Sequence, residues 1–355
     1  MNNDIINKND VISLYQDLDV DLTLEILSNI YELSKYKEYS KSNLNKVRKE
    51  FEERAYLFSI SYNSKINSKR LKGLKKIFSS ITNDISKKYK DNDFDIDKNF
   101  NERDKIINNS IKSTNETLKS LGKKISLSVK NDMLKLFDES SKKLISGSYT
   151  FDEVFKKVTD ELVEKGVTFQ DKLGRNRSVE SVVRQELRYR SNECSRDYYK
   201  QIGKELNADG WDINITGNCR PTHKVINGKR FTNEEWKKYE YLTHDYNCNH
   251  VAEPIFKWES KKYTQKEIDD ANNKQVSFNG EKISYYDATQ MQRAYERAIR
   301  NAKKQCVVAK SLNIDVNKAK RNLINAQSKM TDFISQTGLT RNYSREFFSG
   351  YKILN

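Results

Sequence analysis

Proline is almost absent from this chain. Its two prolines, Pro221 and Pro254, fall inside one short segment, and residues 1–220 contain none. A proline in a helix interior costs about 3 kcal/mol, so its absence over such a length leaves long helices uninterrupted. The segment 211–258 that holds both prolines also holds His223, His244, His250, Trp211, Trp236, Trp258, Cys219 and Cys248. That is every histidine and tryptophan and two of the four cysteines. Elsewhere a background of Lys, Asn, Ser, Ile and Leu prevails. The distribution predicts a mainly α protein with one differently built module in its second half, and that module is the first place to look for function.

Residues 1–178 read as a helical N-terminal region. Leu22, Ile26, Ile30 and Leu33 follow helical spacing, as do Leu44, Val47, Phe51, Ala55 and Phe58, and again Leu71, Leu74, Phe78, Ile81 and Ile85. Further periodic stretches cover about 102–145 and 151–166, the second entered through a Thr150-x-x-Glu153 capping box. Between them, the run from Asp91 to Asp97 alternates acids as a calcium loop does. Ile96 stands where the sharp turn of such a loop needs glycine, so a solvated acidic linker is the better reading.

Residues 179–258 read as a small α+β module. Its first helix, about 179–203 with Ser178 as N-cap, carries Arg184, Arg188, Arg190 and Arg196, which bind phosphate in some proteins and are simply solvated in more. At Trp211, Ile213 and Ile215 the period becomes that of a strand. Asn227-Gly228 predicts a hairpin turn, Thr232-x-x-Glu235 caps a short helix, and an irregular loop runs from Asp245 to Pro254.

Residues 259–355 read as a basic helical C-terminal region. Here 18 Lys and Arg face 10 Asp and Glu, giving +8 of the chain's +15. Asn279-Gly280 predicts a second hairpin, followed by a long amphipathic helix from Tyr285 to about Leu312 and a last helix over about 315–336. Arg293, Arg297, Arg300 and Lys304 form a stripe opposite the small apolar face of the long helix. Such a stripe suits DNA phosphates, a solvated surface, or an acidic partner.

Two chemical readings attach to the module. Cys219-x3-His223 and Cys248-x-His250 are two potential ligand pairs for a structural zinc, whose tetrahedral sites draw on Cys and His. Neither spacing is that of a zinc finger, and the competing reading has both cysteines as small buried hydrophobes and both imidazoles bonded to loop backbone. His244 is the spare, placed at the surface. An HNH-type nuclease would need a second acidic ligand that the segment does not supply. There is no phosphate-cradling glycine loop, no nucleophile elbow and no paired-carboxylate signature, so an enzyme is not expected. The cysteine spacing is no disulfide framework, no run approaches the ~18 apolar residues of a membrane helix, and the polar start MNNDIINKND is unlike a signal peptide. A soluble protein of a reducing cytoplasm is the expectation.

Gly210-Trp-Asp-Ile-Asn-Ile-Thr-Gly-Asn-Cys-Arg-Pro-Thr-His223, Ile226-Asn-Gly-Lys229 and Tyr246-Asn-Cys-Asn-His-Val-Ala-Glu-Pro254 resemble the core of the phage minor capsid protein 2 family and its Mu F-like relatives. Arg184-Gln-Glu186 suits the Arg–x–Glu step that precedes it. Tyr286-Asp-Ala-Thr-Gln-Met-Gln-Arg-Ala-Tyr-Glu-Arg-Ala-Ile-Arg300 resembles the family's C-terminal helix, and Phe333 to Leu339 with Arg345 its closing segment. The likeness covers about residues 180–350. Several members have a closer Cys pair before the hairpin, which Cys219-Arg-Pro-Thr-His223 lacks. The resemblance implies a low-copy head protein of a tailed bacteriophage, assembled in the bacterial cytoplasm into the head interior or portal vertex. Its implied partners are portal and capsid proteins, genomic DNA through non-specific contact, and further copies of itself on the portal. Its implied role is in head morphogenesis and in DNA packaging or ejection. The alternative is a DNA-binding or metal-dependent DNA-processing protein outside the virion that uses the Cys/His cluster.

Overall fold

A computed structural model of the chain describes residues 2–31, 41–90, 101–146, 149–165, 168–170, 176–256, 260–313 and 315–354. The acidic run from Asp91 to Asp97, residues 174 and 175 of the turn before Ser178, and Trp258 lie outside these residues. The chain is mainly α. Helices α1 (Asn2–Tyr31), α2 (Lys41–Lys90), α3 (Asn101–Ile145) and α4 (Phe151–Lys165) lead to a two-stranded antiparallel pair, β1 (Thr168–Gln170) and β2 (Asn176–Ser178). Then come α5 (Val179–Glu205), β3 (Gly210–Ile213), β4 (Arg230–Thr232), the single turn α6 (Asn233–Trp236) and β5 (Ala252–Ile255). Next come α7 (Gln265–Asn272), β6 (Gln275–Phe278), β7 (Glu281–Ser284), α8 (Tyr285–Leu312) and α9 (Val316–Thr337), and a 3-10 helix over Ser349–Leu354 follows.

The two helices expected between 44 and 85 are one, α2, about 75 Å long at 1.5 Å per residue. Without Pro or a capping signal near its middle, nothing in the sequence stops it. Leu74, Ile77, Phe78, Ile81 and Ile85 carry its buried face into a core shared with α1, α3 and α4. Helix α5 also belongs to that core. Val179, Val183, Leu187, Cys194, Tyr198 and Ile202 turn towards the N-terminal helices, and Tyr198 Oη meets Ser86 Oγ at 2.6 Å. The helix that opens the α+β module is thus shared with the bundle.

Ser178 caps α5 as its sequence predicts, its hydroxyl accepting from the Ser181 amide. Replacing it with alanine should cost about 1 kcal/mol, measured as a shift in the urea midpoint at unchanged slope.

The module's sheet has the order β4-β3-β5, all antiparallel. Asp212 pairs across the register with Arg230, and the guanidinium donates to both carboxylate oxygens, at 2.7 and 2.5 Å. The Thr232 capping box is present, and so is an unforeseen one at Thr264 and Glu267. The two Asn-Gly signals part company here. Asn279 (φ 50°) and Gly280 (φ 82°) both adopt left-handed backbone and join β6 to β7 as predicted. Asn227-Gly228 does not make a hairpin: β4 pairs with β3 instead, and only Gly228 has positive φ, at 71°. Asn227 is fully buried, and its side chain is occupied elsewhere.

The C-terminal unit packs β6, β7, α8 and α9 around Phe333, which meets Phe278 edge-on and Tyr295 at ring distances of 5.1 Å. Helix α8 is buried on two sides. Ala288, Ile299, Ala302 and Cys306 face α9, while Gln292, Glu296, Arg300, Lys304 and Val308 are buried as well. Among the described residues no helix is long and apolar enough to cross a membrane.

Candidate functional site

Two short pieces of irregular backbone bring the module's histidines together. A 3-10 turn, Pro221–His223, is set by the fixed φ of Pro221 at its first position. The loop before β5 passes Asn247 in left-handed backbone (φ 63°) and places Cys248 and His250 beside that turn. His223 Nδ1 lies 3.5 Å and His250 Nδ1 3.4 Å from Cys248 Sγ, and all three residues are buried.

These separations suit a metal. With zinc bonds of about 2.3 Å to sulfur and 2.0 Å to nitrogen, the S···N edge of a tetrahedron is about 3.5 Å. The outer nitrogens are held too. His223 Nε2 is 3.0 Å from Asp245 Oδ2, the carboxylate–histidine arrangement that orients metal ligands. His250 Nε2 is 3.0 Å from Asn227 Oδ1 and 3.1 Å from Thr216 Oγ1. The amide oxygen can only accept, so His250 carries its proton on Nε2 and leaves the Nδ1 lone pair towards the sulfur. Burial, with the charges of His223 and Arg220, pushes the His250 imidazole down to about 4, so it is neutral as a ligand must be. Burial raises the Cys248 thiol, opposed by the His250 backbone amide that donates to its sulfur at 3.4 Å.

The sequence expectation needs one correction. Of Cys219, His223, Cys248 and His250, only the last three converge. Cys219 lines the same small cavity, but its thiol donates to the neighbouring Arg220 carbonyl at 3.3 Å and burial pushes it up to about 11. His244 is exposed, as expected. Asp245 and Asn227 complete the arrangement, and sequence had assigned them other roles. Asp245 read as loop and Asn227 as a hairpin residue. Asn227 instead receives the Thr216 amide at 2.8 Å and donates to Asn272 at 2.8 Å, tying four pieces of chain together.

The basic stripe on α8 needs a larger correction. Arg300 and Lys304 are 6% and 3% exposed and do not face outwards. Arg300 Nε stands 2.8 Å from Glu180 on α5, and Lys304 Nζ 2.9 Å from Asp19 on α1. The acidic partner that sequence left open is therefore the chain's own bundle. Arg297 remains exposed and Arg293 half-buried.

Arg293, Arg297 and Arg300 line a cavity of about 480 Å³ between α1, α5, α8 and the segment around residue 345. Arg184 and Arg188, one turn apart on α5, and Arg345 line it too. It adjoins the histidine site, for Asn247, Asn249, Gln290 and Arg293 border both.

The family profile for phage minor capsid protein 2 matches residues 6–335. Neither curated proteins nor solved structures gave a match.

Proposed function

The chain belongs to the phage minor capsid protein 2 family, and from that premise we propose a low-copy, portal-associated head protein that acts in head morphogenesis and in DNA packaging or ejection. The observation that carries this reading is the extent of the family match. It spans the N-terminal helices, the module and most of the C-terminal unit, so the relation is not confined to one grafted segment. The helical bundle offers long surfaces to portal or capsid subunits, and further copies of the chain would sit around the portal ring. A net charge of +15 suits proximity to packaged DNA.

The role is structural and not catalytic in this reading. His223, Cys248 and His250 would hold a zinc ion that pins the loop at 245–250 to the turn at 221–223, with Cys219 swinging in as fourth ligand. Asp245 and Asn227 would fix the two imidazoles.

Quantitative mass spectrometry of purified, DNA-filled particles tests the assignment. A reproducible low number of chains per portal ring is expected. Absence from particles, with abundance in the lysate, would overturn it in favour of a DNA-processing protein outside the virion. Cleavage assays with divalent ions would then be the next step.

A further inference from the structure

The arginine-lined cavity has more positive charge than its own acids can satisfy. Seven arginines and Lys8 line it, against one carboxylate, Glu296; Lys8 and Arg177 have partners of their own, so the excess rests on the others. Glu180 lies behind it and is already shared by Arg184 (2.7 Å) and Arg300 (2.8 Å), and Glu296 is engaged by Arg345 at 3.6 Å. Among the described residues no carboxylate lies within ion-pair distance of Arg188, Arg293 or Arg297. Arg293 has only the Gln290 side chain, at 3.2 Å. Burial, together with the like charges of Arg345, Arg293 and Arg184, pushes the Arg188 guanidinium down to about 9. Arg188 still carries its charge at neutral pH, pressed among cations.

Crowding of this kind opposes folding and persists where something else compensates it. The compensating group must be an anion, and its chemistry follows from the walls. Arginine forks pair bidentately with planar or tetrahedral oxyanions. The remaining lining is rich in amides, including Asn192, Asn247, Asn249 and Gln290, which both donate and accept. The charges approach from three sides, α5, α8 and the segment at 345, around a compact volume. Adjacent phosphates bring several charges into such a volume, whereas the carboxylates of an acidic peptide bring one per residue along an extended chain.

We propose that this cavity is a phosphate-ester site, in which Arg188, Arg293, Arg297 and Arg345 hold two or more neighbouring phosphates of a nucleotide or a nucleic-acid strand. The proposal goes beyond the head-protein reading and does not depend on it. A chain missing from particles could still bind phosphate, and a chain in particles could fail to.

The test uses the full chain at low salt with four probes: inorganic tripolyphosphate, ATP, a fluorescent twelve-nucleotide single strand with a 5′ phosphate, and a poly-glutamate peptide of equal charge. Tripolyphosphate is expected to bind, with at least a tenfold loss on Arg188→Ala and on Arg293→Ala and no change on Arg321→Ala, an exposed control on α9. Thermal melting keeps the test sharp. If Arg188 serves a ligand, Arg188→Ala should melt at or above the parent temperature while losing binding; a merely structural arginine would lower it. ATP bound without competition from the strand would assign a free nucleotide, and mutual displacement would assign the phosphates of a strand. No binding of any phosphate probe, binding indifferent to Arg188→Ala, or poly-glutamate as the strongest competitor would overturn the proposal.

Discussion

Lys304→Ala is expected to destabilise the protein by about 3–5 kcal/mol, the usual cost of removing one partner from a buried charge pair. The Lys304 ammonium and the Asp19 carboxylate are 2.9 Å apart with side chains only 4% and 12% exposed. The ammonium makes no aligned hydrogen bond, so its compensation is coulombic and vanishes with Asp19. Asp19→Ala should therefore cost a similar amount. The double change Asp19→Leu with Lys304→Met should recover most of the loss, because two apolar groups of like volume need no compensation. Urea unfolding followed by circular dichroism reads all three. A single variant within 1 kcal/mol of the parent would mean that the pair is hydrated and that α8 is held by packing alone. The neighbouring pair adds a pH dependence. Burial alone would raise the Glu180 carboxyl, but Arg300 and Arg184, with hydrogen bonds from Arg184 and Gln16, outweigh it and hold the group below its ordinary value of 4.5. With its folded value below its unfolded one, Glu180 stabilises the fold fully at neutral pH, and that stability is lost as pH falls below about 4.5 and through the folded value. Glu180→Gln should flatten the acid limb of the stability profile.

The fate of α8 shows what a single sequence can and cannot disclose. Its boundaries, the Asn279-Gly280 hairpin before it and the existence of a small-residue face were legible, because period and turn chemistry are local properties. The partner of its basic face was not. Asp19 and Glu180 lie on helices far away in sequence, and a stripe of cations reads the same whether it meets DNA, water or two distant carboxylates. The module follows the same division. Its first strand and the Thr232 box were readable from alternation and capping, as was the concentration of Cys and His, whereas β5 begins inside the stretch that reads as irregular loop. Asn227 misled because Asn-Gly is a strong turn signal by itself, and nothing local says that this amide is fully buried against His250, Thr216 and Asn272. Cys219 failed to join the cluster for a related reason. Spacing pairs it with His223, yet the turn after Arg220 directs the His223 ring to Cys248 and leaves the Cys219 thiol on a backbone carbonyl.

Removal of a group that is not itself a ligand gives the sharpest test of the proposed metal centre. Asp245→Asn should weaken zinc binding about 10–100-fold, the usual effect of losing the carboxylate behind a ligating histidine. The mechanism is specific. Asp245 Oδ2 lies 3.0 Å from His223 Nε2, so it keeps the proton on that nitrogen and directs the Nδ1 lone pair at the metal position beside Cys248. An amide can present nitrogen instead of oxygen, and the imidazole can then turn its proton inwards. Untagged protein should hold about one zinc per chain by elemental analysis, and Cys248→Ser should lose it, since that sulfur is the atom both imidazoles face. Cys219→Ser should weaken binding less, because the other three donors are already assembled while the Cys219 thiol rests on the Arg220 carbonyl. Competition against a chromophoric chelator measures the series, and melting with and without chelator shows whether the ion supports the fold. Full occupancy with Asp245→Asn unchanged would place the metal elsewhere. Metal-free parent protein that gains nothing from added zinc would leave Cys248 as a small buried hydrophobe, as the competing reading of the sequence has it, with the two imidazoles held by Asp245 and Asn227.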